Sequence, residues 1–187
     1  MALVPSTMLP LGTPAPAFSL PVAGGASPFV PELGDRLALG DLAAAQALVV
    51  LFTCNHCPYA VAVEERTQAL ARARPGVAFV AISSNDADAY PQDGFAAMAE
   101  RAADWPYPYL YDASQAVARA YDAACTPDYY LFDGDRRLVY RGRLDDGRPG
   151  GDATTTDLAD AIDELLRTGA VTGAQAPSMG CSIKWRP

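Results

Sequence analysis

Residues 47–58 read ALVVLFTCNHCP, and this stretch decides the fold. Its first six residues are apolar without alternation and partly β-branched, which predicts a strand covered on both faces. Pro58 is tolerated in a first helical turn, and an Ala-, Val- and Glu-rich stretch continues to Arg74 before Pro75-Gly76 stops it. The sequence therefore predicts a strand, a pair of cysteines and a helix, in that order.

The flanking segments extend this unit to an α/β arrangement. A second apolar run at 77–82 predicts a buried strand parallel to the first, with the helix as the crossover, so that the cysteines lie at a strand's carboxyl end. The remaining predicted elements are helices over 95–104, 114–121 and 157–167, a strand over 107–111, and a hairpin of 128–133 and 137–142. Residues 1–45 form an irregular lead-in with turn signals and room for a hairpin.

Length and composition indicate one globular domain. The chain has 187 residues, of which 50% are hydrophobic and 19% charged. A domain of this size buries roughly 70% of the surface of its extended chain, so the fold does not depend on disulfides or metals. No internal repeat or linker divides the chain. We predict a single domain over 1–187, with a core over about 11–168 and an irregular tail over 169–187.

Charge and the amino-terminal sequence bear on partners and location. The formal charge of −8 disfavours nucleic acid and membrane partners, because phosphate backbones and anionic lipids are repelled. Residues 1–10 carry no positive charge and hold two prolines, so they make a poor secretion signal. We therefore expect a cytoplasmic location, where cysteines are mostly reduced.

The cysteine pair carries the chemistry. Two cysteines three positions apart at a helix amino terminus can close a small disulfide loop, and the free N–H groups there favour a thiolate. We predict that Cys54 is the exposed, attacking thiolate and that Cys57 lies deeper and resolves the mixed disulfide. His56 can add a positive charge or a hydrogen bond that makes the disulfide more oxidising. A solvated loop histidine is the alternative.

Non-catalytic interpretations of the pair stay open. The cysteines can be inert, or half of a metal site completed by Cys125 or Cys181. His56 is the only histidine and there is no second close cysteine pair, which leaves zinc short of ligands. We predict no cofactor, and keep as alternatives a module in which Cys54, His56 and Cys57 hold a soft metal ion and a protein-binding module with a structural disulfide.

Four motifs resemble one superfamily. The chain carries FTCNHCP at 52–58, CTPDYYLFD at 125–133 and a following hairpin to YRG at 140–142, and these resemble the thioredoxin-like superfamily. The opening LGTPAPAFSL at 11–20 is similar to the peroxiredoxin-related branch, which includes AhpC/TSA proteins and TlpA-like reductases. The tail at 179–185 resembles a small bacterial group of peroxiredoxin-like thioredoxin-family proteins. The resemblance implies a thioredoxin fold: a central mixed sheet, helices on both faces and an N-terminal extension.

The resemblance also implies a site and an activity. Pro127 matches the cis-proline that faces the cysteine pair, and the backbone of Thr126 matches the segment that pairs with a bound substrate chain. An ordinary trans turn is the alternative. The implied activity is thiol–disulfide exchange on a protein or small-molecule disulfide, with a reducing partner, and the site residues are Cys54, His56, Cys57, Thr126 and Pro127.

Two departures from the relatives matter. The acidic residue that thioredoxin places six positions before its first cysteine is Leu48 here, which leaves solvent or Glu64 to move a proton at Cys57. Aligning Cys57 with the peroxidatic cysteine of peroxiredoxins puts Val50 and Cys54 where those enzymes have a proline and a threonine. A thiol peroxidase, which also needs an arginine to polarise the peroxide, is therefore the alternative enzyme.

Two further cysteines are left without an assigned role. Strand alternation points Cys125 either toward the pair or into the core, and a buried free thiol is the commoner outcome. Cys181 lies in the tail, where it can fold back as a resolving cysteine, tether a partner chain or stay idle. The sequence does not determine the oligomeric state.

Overall fold

A computed structural model describes residues 3–187, so Met1 and Ala2, the start of the segment assessed as a secretion signal, lie outside the described residues. The strands are β1 (Leu3–Pro5), β2 (Ser19–Gly24), β3 (Arg36–Ala38), β4 (Ala47–Phe52), β5 (Val77–Ser83), β6 (Tyr109–Tyr111), β7 (Cys125–Thr126), β8 (Asp128–Phe132), β9 (Leu138–Gly142) and β10 (Met179–Ser182). The helices are α1 (Pro58–Ala73), α2 (Phe95–Arg101), α3 (Ala116–Ala120) and α4 (Asp157–Thr168), with short 3-10 turns at Leu39–Leu42 and Pro91–Asp93.

Seven strands form a mixed central sheet in the order β3-β2-β6-β5-β4-β8-β9. β4 is parallel to β5, to which it is connected through α1, and antiparallel to β8. Every residue of β4 and β5 is buried, which explains their apolar sequences without alternation. The predicted α/β thioredoxin fold with a central mixed sheet is confirmed, and the cysteine pair follows the end of β4.

Helices cover both faces of this sheet. Because side chains alternate along a strand, β4 sends Val49 and Leu51 to one apolar cluster and Leu48, Val50 and Phe52 to another. The first cluster includes side chains of α1, α2 and α4, and the second includes α3 and the N-terminal extension. The two-sided packing fixes the end of β4, and with it the start of α1, against the sheet.

The tail contains the largest departure from the sequence prediction. β10 lies between β1 and β7 in a second, three-stranded antiparallel sheet, although the tail from 169 was predicted to be irregular. This four-residue strand includes a glycine and pairs with segments distant in sequence, so no local sequence pattern predicts it. The predicted lead-in hairpin is present as β2 and β3.

Two helices are shorter than predicted. α3 begins only after Gln115, whose φ of 61° lies in the left-handed region and excludes it from the helix. α2 ends at Arg101, three residues before the predicted end at Asp104. Within residues 3–187, no helix combines the length and the apolar character needed to cross a membrane.

Candidate active site

Cys54 and Cys57 lie in the short connection between β4 and α1. Cys57 is the N-cap residue of α1 and Pro58 is its first residue, as the sequence predicts. Both cysteines are free thiols. Cys54 is only 3% exposed and Cys57 is fully buried, so the prediction of an exposed Cys54 is wrong. The reason is that Cys181 of β10, which the sequence analysis placed in an irregular tail, packs over the pair together with Ala60.

Thr126 contacts both thiols of the pair. The peptide bond between Thr126 and Pro127 is cis, as predicted. The Cys57 thiol donates to the Thr126 carbonyl oxygen at 3.2 Å, and the Cys54 sulfur lies 3.4 Å from the Thr126 hydroxyl oxygen. The structure thus brings Cys54, Cys57 and Thr126 into contact, with Pro127 next to Thr126 in the chain.

The negative charge of the reduced pair is favoured at Cys57. Interaction with the neighbouring Cys54 thiol, and to a smaller extent with Cys181, lowers the pKa of Cys57 against the opposing effect of burial. The same interaction within the pair, together with burial and the nearby Asp93 carboxylate, raises the pKa of Cys54. The sequence analysis placed the thiolate at Cys54, and this stays a prediction; the N-cap residue of α1 is Cys57.

His56 belongs to a hydrogen-bonded network beside the pair. Its Nδ1 lies 2.5 Å from Oδ2 of Asp93, and its ring stacks on Tyr90 at a centroid distance of 5.0 Å. Asp93 is fully buried, and it also accepts hydrogen bonds from the Asn55 N–H and the Asn85 side-chain amide, both at 2.8 Å. The alternative of a freely solvated loop histidine does not describe this arrangement.

Asp93 is the site residue that sequence reasoning missed. Donor atoms of Cys54, His56 and Asp93 lie within 4.8 Å of one another. Asp93 sits in a 3-10 turn within a polar loop, where nothing in the sequence separates it from the neighbouring acidic residues. Glu64, which the sequence analysis offered for proton transfer, is instead paired with Arg101 at 2.7 Å. A buried carboxylate therefore stands near the pair, but it comes from another segment than predicted.

Cys125 and Cys181 are placed differently with respect to the pair. Cys125 is fully buried, its thiol faces the Pro127 carbonyl oxygen at 3.7 Å, and burial raises the pKa of this thiol. Cys181 is 4% exposed and packs directly against Cys57 and Cys54. Burial and the neighbouring Cys57 raise the pKa of Cys181. The structure thus groups three of the four cysteines.

A cleft of about 320 Å³ opens beside the pair. Tyr59, which follows Pro58 in α1, and Pro127 form its wall next to the cysteines. Further lining residues are Leu3, Arg143, Asp145, Arg148 and Met179. The cleft combines apolar side chains with charges of both signs, which suits a polar segment carrying an apolar group.

Residues 10–162 match the family model described as Redoxin. The chain belongs to the Redoxin family. The match covers the central sheet, the cysteine pair and the cis-proline, and it ends before β10. Family membership supports a thioredoxin-like redox function and an oxidoreductase activity for this Redoxin chain.

Two solved structures are similar over nearly the whole Redoxin chain. An uncharacterized conserved protein from Geobacillus kaustophilus is 45% identical, with a TM-score of 0.90, covering 100% of this chain and 98% of its own. A hypothetical protein from Sinorhizobium meliloti is 42% identical, with a TM-score of 0.88, covering 97% of this chain and 98% of its own. The first similarity therefore includes the tail with β10.

A more distant structure supports the fold assignment. The thioredoxin domain of a thiol-disulfide oxidoreductase from Bacteroides vulgatus is 18% identical, with a TM-score of 0.57, covering 84% of this chain and 99% of its own. At this identity the likeness shows the thioredoxin-like fold alone. No curated protein is significantly similar to the sequence.

Replacing His56 by glutamine is expected to make the cysteine pair more reducing. A ring nitrogen of His56 lies within 4.8 Å of the Cys54 sulfur, and we expect the imidazole to stabilise negative charge on the reduced pair. Losing about 1.4 kcal/mol of that stabilisation lowers the midpoint potential by roughly 30 mV. A glutathione titration of both proteins measures the shift. An unchanged or higher midpoint would mean that His56 is only packed against Tyr90.

Asp128 gives this Redoxin protein a pH-dependent stability. The side chain is fully buried, its Oδ1 has no hydrogen-bond partner within residues 3–187, and burial raises its pKa to about 7. The folded state therefore prefers the protonated acid. The resulting stabilisation is complete below about pH 4 and is lost as the pH rises to about 7.

The Asp128→Asn substitution is expected to remove this loss of stability at higher pH. At about pH 8 the variant should gain up to about 4 kcal/mol in free energy of unfolding over the wild type, and at about pH 4 the two should nearly coincide. Urea denaturation at both pH values measures the difference. Equal differences at the two pH values would contradict the assignment of the titration to Asp128.

Proposed function

We propose that this Redoxin protein is a thiol–disulfide oxidoreductase whose Cys54 and Cys57 cycle between dithiol and disulfide. The observation that carries the proposal is the contact of both sulfurs with Thr126, at 3.4 Å and 3.2 Å, next to the cis-proline. Two thiols packed in one buried cluster can close a disulfide, and Thr126 offers each sulfur a polar partner. Family membership supports the same class of chemistry.

In the first step Cys54 attacks one sulfur of a substrate disulfide. A bond forms between Cys54 and that sulfur, the substrate's own disulfide bond breaks, and its other sulfur leaves as a thiolate. The Cys54 proton passes to the Cys57 thiolate. The lowered pKa of Cys57 supports this role, and the protonated Cys57 donates to the Thr126 carbonyl oxygen. Cys54 is the less deeply buried of the two sulfurs, which supports its role as the attacking residue.

In the second step Cys57 loses its proton and attacks the Cys54 sulfur. The bond between Cys54 and the substrate breaks, the substrate sulfur leaves as a thiol after taking up a proton, and the protein disulfide closes. A separate thiol reductant must then supply two electrons to restore the dithiol. The reverse sequence oxidises a substrate dithiol. We propose a protein or small-molecule disulfide as substrate, in a reducing cytoplasm.

The cleft supports the position of the substrate. It is bounded by Tyr59 and Pro127 on the side of the cysteines, and by Arg143, Asp145 and Arg148 farther away. A substrate chain entering along this cleft would pass Tyr59, which packs against the cysteine cluster. Its flanking charges would meet arginine and aspartate side chains of this protein.

The two alternatives have weaker support in the contacts of the site. For a peroxidase, the hydrogen bonds of the two thiols within residues 3–187 go to Thr126, and none comes from an arginine that could polarise a peroxide. For a metal module, the donors that converge with Cys54 are His56 and Asp93 rather than Cys57. Asp93 already accepts hydrogen bonds on both oxygens, so it is poorly suited to hold a soft ion.

A redox titration tests the proposal. The purified, metal-free protein is equilibrated with glutathione buffers, thiols are trapped, and each cysteine is assigned by peptide mass spectrometry. A reversible two-electron transition of Cys54 and Cys57 is expected, and a midpoint near about −270 mV or about −120 mV would indicate a reductase or an oxidase. A pair that never forms a disulfide would overturn the proposal. Hydrogen peroxide consumption in a parallel assay would instead favour the peroxidase.

A further inference from the structure

The backbone edge of Thr126 is occupied by the protein's own C-terminal strand. β10 pairs antiparallel with β7, with Cys181 opposite Thr126 and Ser182 opposite Cys125. On its other side β10 pairs with β1. The resemblance to thioredoxin-like proteins assigned this same edge to a bound substrate chain, and strand addition is a general way in which an extended peptide is bound. β10 therefore takes the position of a substrate strand.

Close approach of β10 depends on Gly180. A Cβ atom added at Gly180 would lie 2.0 Å from the Thr126 carbonyl oxygen and 2.6 Å from its carbonyl carbon. Such a distance is possible only without a side chain. The glycine thus lets the strand lie tightly against the residue that contacts both thiols of the pair, and it brings the next residue, Cys181, to Cys57.

Cys181 packs beside Cys57. The two side chains share one buried cluster with Cys54 and Ala60. No other described segment brings a cysteine into that cluster. The fourth cysteine, Cys125, lies outside it and faces the Pro127 carbonyl oxygen instead.

The chain beyond β10 holds this strand in place. Ile183 is buried and donates its N–H to the Ala124 carbonyl oxygen at 3.0 Å. The Lys184 N–H donates to Oδ1 of Asn85 at 2.8 Å, and Asn85 in turn donates to Asp93. Because of these bonds the Cys181 thiol is held beside Cys57 rather than swinging freely on a tail.

We propose that β10 is an intramolecular substrate strand and that Cys181 is a third redox thiol, which exchanges with the disulfide of Cys54 and Cys57. This inference rests on the proposed function. The Cys181 thiol loses its proton and its sulfur attacks the Cys57 sulfur. The bond between Cys57 and Cys181 forms, the bond between Cys54 and Cys57 breaks, and Cys54 leaves as a thiolate that takes up the proton. Atoms and electrons are conserved, so no oxidant or reductant is needed.

The exchange gives the oxidised protein two forms. In one form Cys54 is tied to Cys57 and Cys181 is free. In the other Cys57 is tied to Cys181, and Cys54, the more exposed cysteine of the original pair, is free to attack a further disulfide. The disulfide between Cys57 and Cys181 would then hold the two oxidising equivalents of one turnover.

The Cys125→Ala variant allows a direct test because its oxidised form retains one free thiol. The variant is oxidised with diamide, a diazene that accepts two electrons and two protons, then held at mildly alkaline pH, acid-quenched and alkylated. Peptide mapping without reduction locates the alkyl label. The label is expected to shift from Cys181 partly to Cys54, with a cross-linked peptide of Cys57 and Cys181 appearing to the same extent. Label confined to Cys181 would overturn the inference.

Two matched variants complete the experiment. With Cys125→Ala/Cys54→Ser, diamide is expected to link Cys57 to Cys181; two alkylated thiols would overturn the inference. With Cys125→Ala/Cys181→Ser, the disulfide of Cys54 and Cys57 should form and no label should appear on Cys54. If that last variant forms no disulfide, it is the proposed function that fails, so the two failures are distinguishable.

Discussion

Replacing Cys54 by serine is expected to lower the rate of disulfide reduction by at least about a thousandfold. A serine hydroxyl is not ionised near neutral pH, and Cys57 cannot take over the attack because it is fully buried. A coupled assay that reduces a small-molecule disulfide measures the loss. Cys125→Ala is the matched control, since Cys125 is a buried thiol outside the cluster, and it should keep most of the activity.

The Cys57→Ser variant tests which of the two cysteines attacks first. With Cys54 as the attacking residue, this variant should accumulate a covalent adduct with one half of the substrate, which intact-protein mass spectrometry detects. The adduct should map to Cys54. Unimpaired turnover of Cys54→Ser, or an adduct found only on Cys57 of that variant, would reverse the roles of the two cysteines.

Gly180→Ala is expected to detach β10 and destabilise the protein. The new Cβ would stand 2.0 Å from the backbone oxygen of Thr126, which cannot rotate away as a side chain would. Separation of the strands also exposes Cys181 and Ile183, so the free energy of unfolding should fall by about 3 kcal/mol. Thiols of Cys57 and Cys181 should become much more accessible to alkylation. Urea denaturation and timed alkylation measure both effects.

Gly173→Ala serves as the control in the same tail. A Cβ at Gly173 meets no atom within 4 Å, so the substitution should change stability by less than about 0.5 kcal/mol. If the two variants were equally stable and equally resistant to alkylation, the close pairing of Gly180 with Thr126 would be wrong.

The sequence was informative where the pattern is local. The run of β4, the Pro58 start of α1 and the second apolar strand are contiguous signals, and together they predicted the α/β arrangement at the cysteine pair. The cis-proline also depends on a short motif. In each case neighbouring residues in the chain carry the information, because burial on both faces requires a continuous apolar run and helix initiation favours particular residues in the first turn.

The missed features depend on contacts between distant segments. Asp93 reaches His56 across 37 positions, and Cys181 joins the pair through a strand of only four residues. The charge on the pair was predicted at Cys54 from the helix amino terminus and from His56. The lowered pKa of Cys57 also depends on Cys181, which no pattern near residue 54 could reveal.

Burial of Cys54, Cys57 and Cys181 bears on the kinetics of the protein. A substrate disulfide can reach a buried sulfur only after the residues that cover the sulfur move away. The observed rate therefore combines an opening equilibrium with the intrinsic exchange rate. At low disulfide concentration the rate follows both quantities. At high concentration it becomes equal to the opening rate and independent of the disulfide. Small and large disulfides would then have the same maximal rate, because the conformational opening step would limit the reaction.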